Sequence, residues 1–163
     1  MNAKNDISEL RGDIKKTCSQ IEKVESFYDN LKKDVTALPV GKSYDLIILA
    51  DIFVDFYTCL ETGFLRASKF FENNLDSSKW HADLLEKMTV DIPGARKRVI
   101  SDGTETCLKE FMRFRHFKRY YFEFEYDKDR IEFLEKKFMQ VLPLIKKDLD
   151  EFDLFLKALE DRV

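Results

Sequence analysis

The sequence has few residues that interrupt helices and no long apolar run. Its 163 residues include only 5 glycines and 3 prolines. The longest apolar stretch, Leu46 to Ala50, is far shorter than the roughly 20 residues that a membrane span needs. The polar first residues, Met1 to Asp6, do not resemble a secretory signal peptide. We therefore expect a soluble cytoplasmic protein with no membrane partner.

Patterns that bind metals or nucleotides are also missing. The three cysteines, Cys18, Cys59 and Cys107, show neither a CxxC pattern nor the Cys/His spacing of a zinc site. The two histidines, His81 and His116, belong to separate segments and form no HExxH motif. No glycine-rich loop of the phosphate-binding kind is found in the sequence. These absences predict reduced thiols, no metal and no cofactor.

The chain has no excess of positive charge, since 28 Lys and Arg face 31 Asp and Glu, for a net charge of −3. A nucleic-acid site would therefore be a local feature of the surface. What the chain has in quantity is hydrophobic residues, 44%, and charged residues, 36%, including 15 phenylalanines. This balance is typical of amphipathic helices around an aromatic core. The length of the chain predicts one domain over residues 1–163.

Apolar residues recur at spacings of three and four along five segments, which predicts five helices. The predicted helices run from Ile7 to Leu38, from Tyr44 to Asn74, from Ser77 or Ser78 to Met88, from a Thr104 cap to Tyr126, and from an Asp127 or Asp129 cap to Leu159. Pro143 should kink the last helix without ending it, because the apolar stripe continues beyond it. The predicted fold is an all-α, five-helix up-and-down bundle.

One segment, from Lys109 to Asp127, has a chemical signature. Its first eleven residues hold five Lys or Arg and a single acid, Glu110, within an otherwise acidic chain. Arginine binds phosphate through a planar fork of donors, which suits an RNA backbone. We expect the cations of this segment to contact RNA, namely Arg113, Lys118 and Arg119.

Two pairs within this segment are one helical turn apart. Arg115 and Arg119 should project from one side of the helix, and His116 and Tyr120 from the adjoining strip. Most basic runs on helices, however, are simply solvated faces, and a single histidine is more often structural than catalytic. The phenylalanines at spacing three, Phe111, Phe114 and Phe117, are more typical of core packing than of base stacking. The residues alone predict a local cationic helix.

The same segment resembles a known family. Phe114-Arg115-His116-Phe117-x-Arg119, followed by Glu125-x-Asp127, resembles the Phe-Arg-His-Phe-Phe-Arg-His-x-Tyr segment of HepT-like proteins, a branch of the HEPN superfamily. Phe56-Tyr57-x-x-Leu60-Glu61 and Trp80-His81-x-x-Leu84-Leu85-Glu86-Lys87-Met88 match the family in the same order. The resemblance covers nearly the whole chain.

The resemblance implies a helical bundle that forms a homodimer, with the motif helices facing each other. HEPN ribonucleases cleave RNA without metal, using a histidine as acid or base and an arginine that stabilises the charged phosphorane. HepT toxins are commonly encoded beside a small nucleotidyltransferase antitoxin, which can attach AMP to a tyrosine two positions after the histidine. The implied partners are a second copy, RNA and a nucleotidyltransferase-type antitoxin.

Carried onto this chain, the motif arginine is Arg115, the histidine position is Tyr120 and the tyrosine position is Phe122. A phenol ordinarily retains its proton at neutral pH, so Tyr120 can donate a proton or hydrogen bond but is a poor general base. The candidate catalytic residues are Arg115, His116 and Tyr120, with His116 as the substitute imidazole. Tyr120 and Tyr121 are the candidate modification sites.

Three interpretations remain at this point. A ribonuclease toxin would cleave RNA without magnesium and lose this activity in Arg115→Ala. A non-catalytic HEPN dimer that binds RNA or a nucleotidyltransferase would gain cleavage only in Tyr120→His. A purely structural bundle would be indifferent to charge reversal at Arg115 and Arg119. The family pattern favours the ribonuclease toxin, and the residue at position 120 predicts impaired cleavage.

Overall fold

The computed structural model describes residues 3–34, 42–72, 80–120 and 125–163. They form five helices: α1 (Ala3–Asp34), α2 (Lys42–Phe71), α3 (Trp80–Met88), α4 (Asp102–Tyr120) and α5 (Lys128–Glu160). The prediction of an all-α, five-helix fold is confirmed. The helix ends and caps predicted at Leu38, Asn74, Ser77 and Ser78 lie outside the described residues.

Four long helices alternate in direction, and the short α3 lies in the connection from α2 to α4. Asp13 near the start of α1 pairs with Arg66 near the end of α2, so these helices are antiparallel. Glu25 of α1 pairs with Lys146 of α5, and Thr104 of α4 bonds to Asp148 of α5. This up-and-down order brings α2 and α4 together with α5 around one core.

Aromatic rings fill the centre of the bundle. Phe53 and Phe56 of α2 meet Phe111 of α4 and Phe138 of α5, with ring centroids 5.0–5.7 Å apart. All four side chains are fully buried. Their tilted and edge-to-face arrangements are those that aromatic rings prefer. The packing fixes which side of α4 faces inward and therefore which side faces solvent.

Helices α1 and α2 approach closely at Gly63. A β-carbon placed on Gly63 would lie 2.7 Å from Oγ1 of Thr17, which is closer than atoms of two side chains normally come. The Thr17 hydroxyl donates a hydrogen bond to the carbonyl of Asp13, one turn earlier on α1. The missing side chain at position 63 is what permits this distance between the helices.

The predicted ends of α4 were wrong in two places. The helix begins at Asp102, after Ser101, and the Thr104 hydroxyl is buried and donates to Asp148 of α5. Thr104 is therefore not the cap, because a carboxylate distant in sequence takes its hydrogen bond. The helix ends at Tyr120, and Tyr126 lies in a non-helical segment. Asp127 caps α5, as predicted, by accepting a hydrogen bond from Asp129 N at 3.0 Å.

Helix α5 continues through Pro143, as the apolar stripe predicted. The connector before α4 contains a buried arginine, Arg96. Its guanidinium donates to Glu72 and, at 2.8 Å, to the carbonyl of Lys87. Gly94 supplies the positive φ of +78° that the turn around Arg96 requires. Arg96 thus ties the connector to the ends of α2 and α3.

Candidate functional site

Helix α4 has one apolar and one exposed side. Phe111 and Phe114 are fully buried in the core, as their spacing predicted. His116, Arg119 and Tyr120 are exposed on the other side of the helix. We call these three residues the exposed face of α4. It lies in the last two turns of the helix, within the segment that the sequence singled out.

The side chains of this exposed face lie against one another. The rings of His116 and Tyr120 have centroids 4.9 Å apart at an interplanar angle of 58°. The guanidinium carbon of Arg119 lies 6.0 Å from the centre of the Tyr120 ring, within the range of a cation–π contact. Tyr120 is 65% exposed. An imidazole, a phenol and a guanidinium are therefore available to a ligand in one place.

Arg115 lies at the edge of this face and is only partly exposed. Its Nη1 donates a hydrogen bond of 2.7 Å to Oε1 of Glu61 on α2. The exposed fraction is 26% for the Arg115 side chain and 8% for that of Glu61. Arg115 and Arg119 thus differ, because the first is held by a carboxylate of its own chain while the second contacts an exposed ring.

Tyr57 completes a small group beneath Arg115. Its side chain is buried, and burial raises the pKa of its phenol; the nearby charge of Glu61 raises it further, while Arg115 opposes the shift. Tyr57 and Glu61 are one turn apart on α2, in the segment that resembles the HepT-like pattern. Neither residue was predicted to have a role, although their spacing of four places both on one side of a helix.

The three predicted RNA contacts do not lie together. Arg113 is exposed and donates to Glu110 at 2.8 Å, one turn before the exposed face. Lys118 instead turns towards α2, where it forms an ion pair with Asp51, and partial burial lowers its pKa. Positions two apart on a helix point in nearly opposite directions, which separates Lys118 from His116 and Tyr120. Arg113 and Arg119 remain accessible.

Phe117 lies on the α5 side of α4. The guanidinium carbon of Arg130 is 4.3 Å from the centre of its ring, and the two residues border a small cavity of about 160 Å³. This position agrees with packing rather than base stacking. Tyr121 and Phe122 lie outside the described residues. A wider cleft of about 700 Å³, between the connector at 91–100 and the end of α5, contains none of the described site residues.

The described ranges contain neither a cluster of metal ligands nor a membrane-spanning helix. No group of three or more His, Cys, Asp or Glu among residues 3–34, 42–72, 80–120 and 125–163 is arranged to hold a metal ion. None of the helices in these ranges is long and apolar enough to cross a membrane.

Comparison with known proteins identifies the family. The family model described as HepT-like protein matches residues 48–156, which is more than half of the 163 residues. The match includes Glu61 on α2 and the whole of α4, and so covers the residues described above. No curated protein and no solved structure matched the chain. The chain belongs to the HepT-like family of HEPN proteins.

Proposed function

We propose that this protein is the toxin-type member of a toxin–antitoxin pair and acts on RNA as a homodimer, as a metal-independent endoribonuclease. The observation that carries this proposal is the position of Arg115 beside the exposed imidazole, phenol and guanidinium of His116, Tyr120 and Arg119. Membership of the HepT-like family supports it. The proposed nucleic-acid site is local, as the net charge of −3 requires.

The chemistry of such a site needs no metal ion. The ribose 2′-oxygen attacks the adjacent phosphorus after losing its proton to a base, and the 5′-oxygen leaves after receiving a proton. The products are a 2′,3′-cyclic phosphate and a free 5′-hydroxyl. Arg115 would stabilise the negative charge that develops on the phosphorane, by charge-assisted hydrogen bonds. His116 would supply the base, and Tyr120 would donate a hydrogen bond or a proton.

The dimer would place two copies of this face around one RNA strand. Each α4 contributes Arg113, Arg119 and the partly exposed Arg115. A cleft between two α4 helices would therefore hold twice the arginine side chains of a single helix. The exposed Tyr120 ring would lie within the contact between the protomers, where a large, rigid aromatic side chain is favourable. The resemblance to HEPN proteins supports this arrangement.

A second candidate function is RNA or protein binding without cleavage. The residue at position 120 favours it, because a tyrosine occupies the place of the family's catalytic histidine. In this case the dimer would bind RNA or a nucleotidyltransferase partner through the same face, and Arg115 would contribute to binding alone.

A cleavage assay in the presence of EDTA tests the proposal. Wild type, Arg115→Ala and Tyr120→His are incubated with an end-labelled, mixed-sequence single-stranded RNA. We expect Arg115→Ala to abolish cleavage and Tyr120→His to increase it by about 100-fold, the usual contribution of a placed acid–base group. Arg66→Ala is the matched control, because Arg66 is also partly exposed and paired with a carboxylate, but lies away from α4.

The outcomes separate the candidates. RNA binding that depends on Arg115, with no cleavage by wild type and cleavage gained in Tyr120→His, would favour the non-catalytic dimer. Binding and cleavage that are equal in wild type and Arg115→Ala would contradict both functions at this site.

A further inference from the structure

Glu61 is an almost buried carboxylate beneath the motif helix. Its Oε1 lies 2.7 Å from Nη1 of Arg115, and the buried Tyr57 lies one turn before it on α2. A carboxylate that loses its hydration must be balanced by an opposite charge or by hydrogen bonds within the protein. Arg115 provides such a charge, so the conformations of the two side chains depend on each other.

This ion pair differs from the one at Arg96. The Arg96 side chain has no exposed surface and donates to backbone carbonyls as well as to Glu72. The Arg96–Glu72 pair therefore has a structural role. In the Arg115 pair the acid is buried while the arginine still reaches solvent. A bond to Glu61 engages one of the five N–H donors of the guanidinium. The arrangement anchors an arginine that remains partly open to solvent at the edge of the exposed face of α4.

We propose that Glu61 is a positioning residue, which holds the Arg115 guanidinium in the orientation that binds an RNA phosphate. This inference rests on the proposed function, because it assigns Glu61 a role only if Arg115 contacts RNA.

The physical reason is preorganisation. An arginine binds phosphate best through two parallel hydrogen bonds, which requires its plane to be turned correctly. A long unrestrained side chain loses rotamer freedom when it adopts that orientation, and this loss weakens binding. Glu61 fixes one nitrogen before the RNA arrives, because its own position is set by the packing of α2 against α4.

The negative charge of Glu61 acts against RNA binding, whereas its positioning of Arg115 favours binding, so an experiment can separate the two effects. A carboxylate near a phosphate site repels RNA and neutralises Arg115. If neutralisation were its main effect, removal of the carboxylate would strengthen RNA binding and steepen its dependence on salt. If positioning dominates, removal weakens binding. The two effects therefore predict changes of opposite sign.

The experiment compares Glu61→Met, Glu61→Gln, Arg115→Ala and Asp13→Asn with wild type. The dissociation constant for a fluorescein-labelled, mixed-sequence single-stranded RNA is measured by fluorescence anisotropy over a series of salt concentrations. Thermal unfolding confirms that each variant is folded at the assay temperature. Cleavage is followed on the same RNA, in wild type and in the Tyr120→His background, to separate kcat from KM.

We expect Glu61→Met to weaken RNA binding by roughly tenfold, the scale of the free energy lost when one long side chain is immobilised on binding. Glu61→Gln should retain most of the affinity, since its amide oxygen still accepts from Arg115. Asp13→Asn removes the charge of another partly buried carboxylate paired with an arginine, between α1 and α2, and should bind RNA as wild type does. Should Glu61→Met not fold, Glu61→Asp replaces it, because the shorter side chain withdraws the carboxylate and should also weaken binding.

The variants distinguish two kinds of failure. Unchanged or tighter binding in Glu61→Met, with binding lost in Arg115→Ala, would overturn the positioning role and leave the proposed function intact. Equal losses in Glu61→Met and Asp13→Asn would also overturn it, because the effect would then be general. Wild-type protein that does not bind RNA, or Arg115→Ala that binds equally well, would overturn both the function and the inference.

Discussion

Two cations on α4, Arg115 and Lys118, are three residues apart and have different surroundings. The exposed fractions of the two side chains are similar, 26% and 24%, but Arg115 pairs with the buried Glu61 whereas Lys118 pairs with the exposed Asp51. Both were predicted as site residues, because the sequence does not show which neighbouring helix or surface a basic side chain faces. What separates them is their angle around the helix relative to the core. Arg115 keeps its candidate role on geometry, and Lys118 lies away from the exposed face.

Tyr120 also supports a prediction about modification at the scale of one residue. We expect the nucleotidyltransferase-type antitoxin of the proposed pair to transfer AMP from ATP to the Tyr120 phenol, with release of pyrophosphate. Tyr120 is 65% exposed in the single chain, so its oxygen can enter another enzyme's active site before two chains pair. Mass spectrometry of peptides after co-expression should locate the added AMP, and Tyr120→Phe should remove it.

A built-in control exists for this experiment. Tyr44 on α2 is 63% exposed, nearly as much as Tyr120, but lies outside the motif helix. Its peptide should remain unmodified if the enzyme recognises the face of α4. AMP found on Tyr121 alone would move the modification site by one residue. AMP on Tyr44 would show that the enzyme selects tyrosines by their exposure alone.

At the scale of elements, the start of α4 depends on a residue of α5. The carboxylate of Asp148 accepts hydrogen bonds from the Ser101 N–H at 2.9 Å and from the Thr104 hydroxyl. Negative charge is favourable at the N-terminus of a helix, where backbone N–H groups lack partners. No local pattern connects positions 101 and 148, so a cap at Thr104 was the natural prediction from sequence and was incorrect.

Helices α1 and α2 provide an element-scale prediction with a matched pair of glycines. Gly63→Ala should lower the free energy of unfolding by about 1 kcal/mol, because its β-carbon would overlap Thr17 and the strain exceeds the gain in helix propensity. Gly12→Ala, on α1, has nothing within 4 Å of its new β-carbon. It should raise the free energy of unfolding by about 0.5–1 kcal/mol.

Urea denaturation of both variants provides the measurement. A Gly63→Ala variant as stable as Gly12→Ala would mean that Thr17 moves aside at no cost, so that the close approach of the two helices is not fixed by position 63.

At the scale of the whole molecule, the order of the helices creates the candidate site. Because α2 packs against α4, a carboxylate at position 61 meets an arginine at position 115, 54 residues later. The aromatic core holds the two helices in this register through Phe53, Phe56 and Phe111. The core covers the other side of α4, and the exposed face of α4 is the part of the helix that stays open to solvent.

The proposed homodimer gives the prediction at this scale. Tyr120→Glu should weaken the dimer by about 100-fold or more, because a carboxylate that must lose its hydration would replace an aromatic ring in the symmetric contact between two α4 helices. Leu154→Glu, on α5, is the matched control, since Leu154 is also 65% exposed. Sedimentation equilibrium measures both. A monomeric wild-type protein, or dissociation by Leu154→Glu in place of Tyr120→Glu, would contradict this interface.

The sequence by itself determined the all-α class, the number of helices and the family, because helix periodicity and the family motif are local patterns that need no knowledge of distant contacts. It also predicted the His116–Tyr120 pair, since residues four apart on a helix are neighbours. Only the tertiary structure decided that Arg115 meets Glu61, that Lys118 faces α2 and that Asp148 holds the start of α4. These contacts join residues far apart in the chain, and packing of the helices, rather than residue type or spacing, sets which side chains come within hydrogen-bond distance.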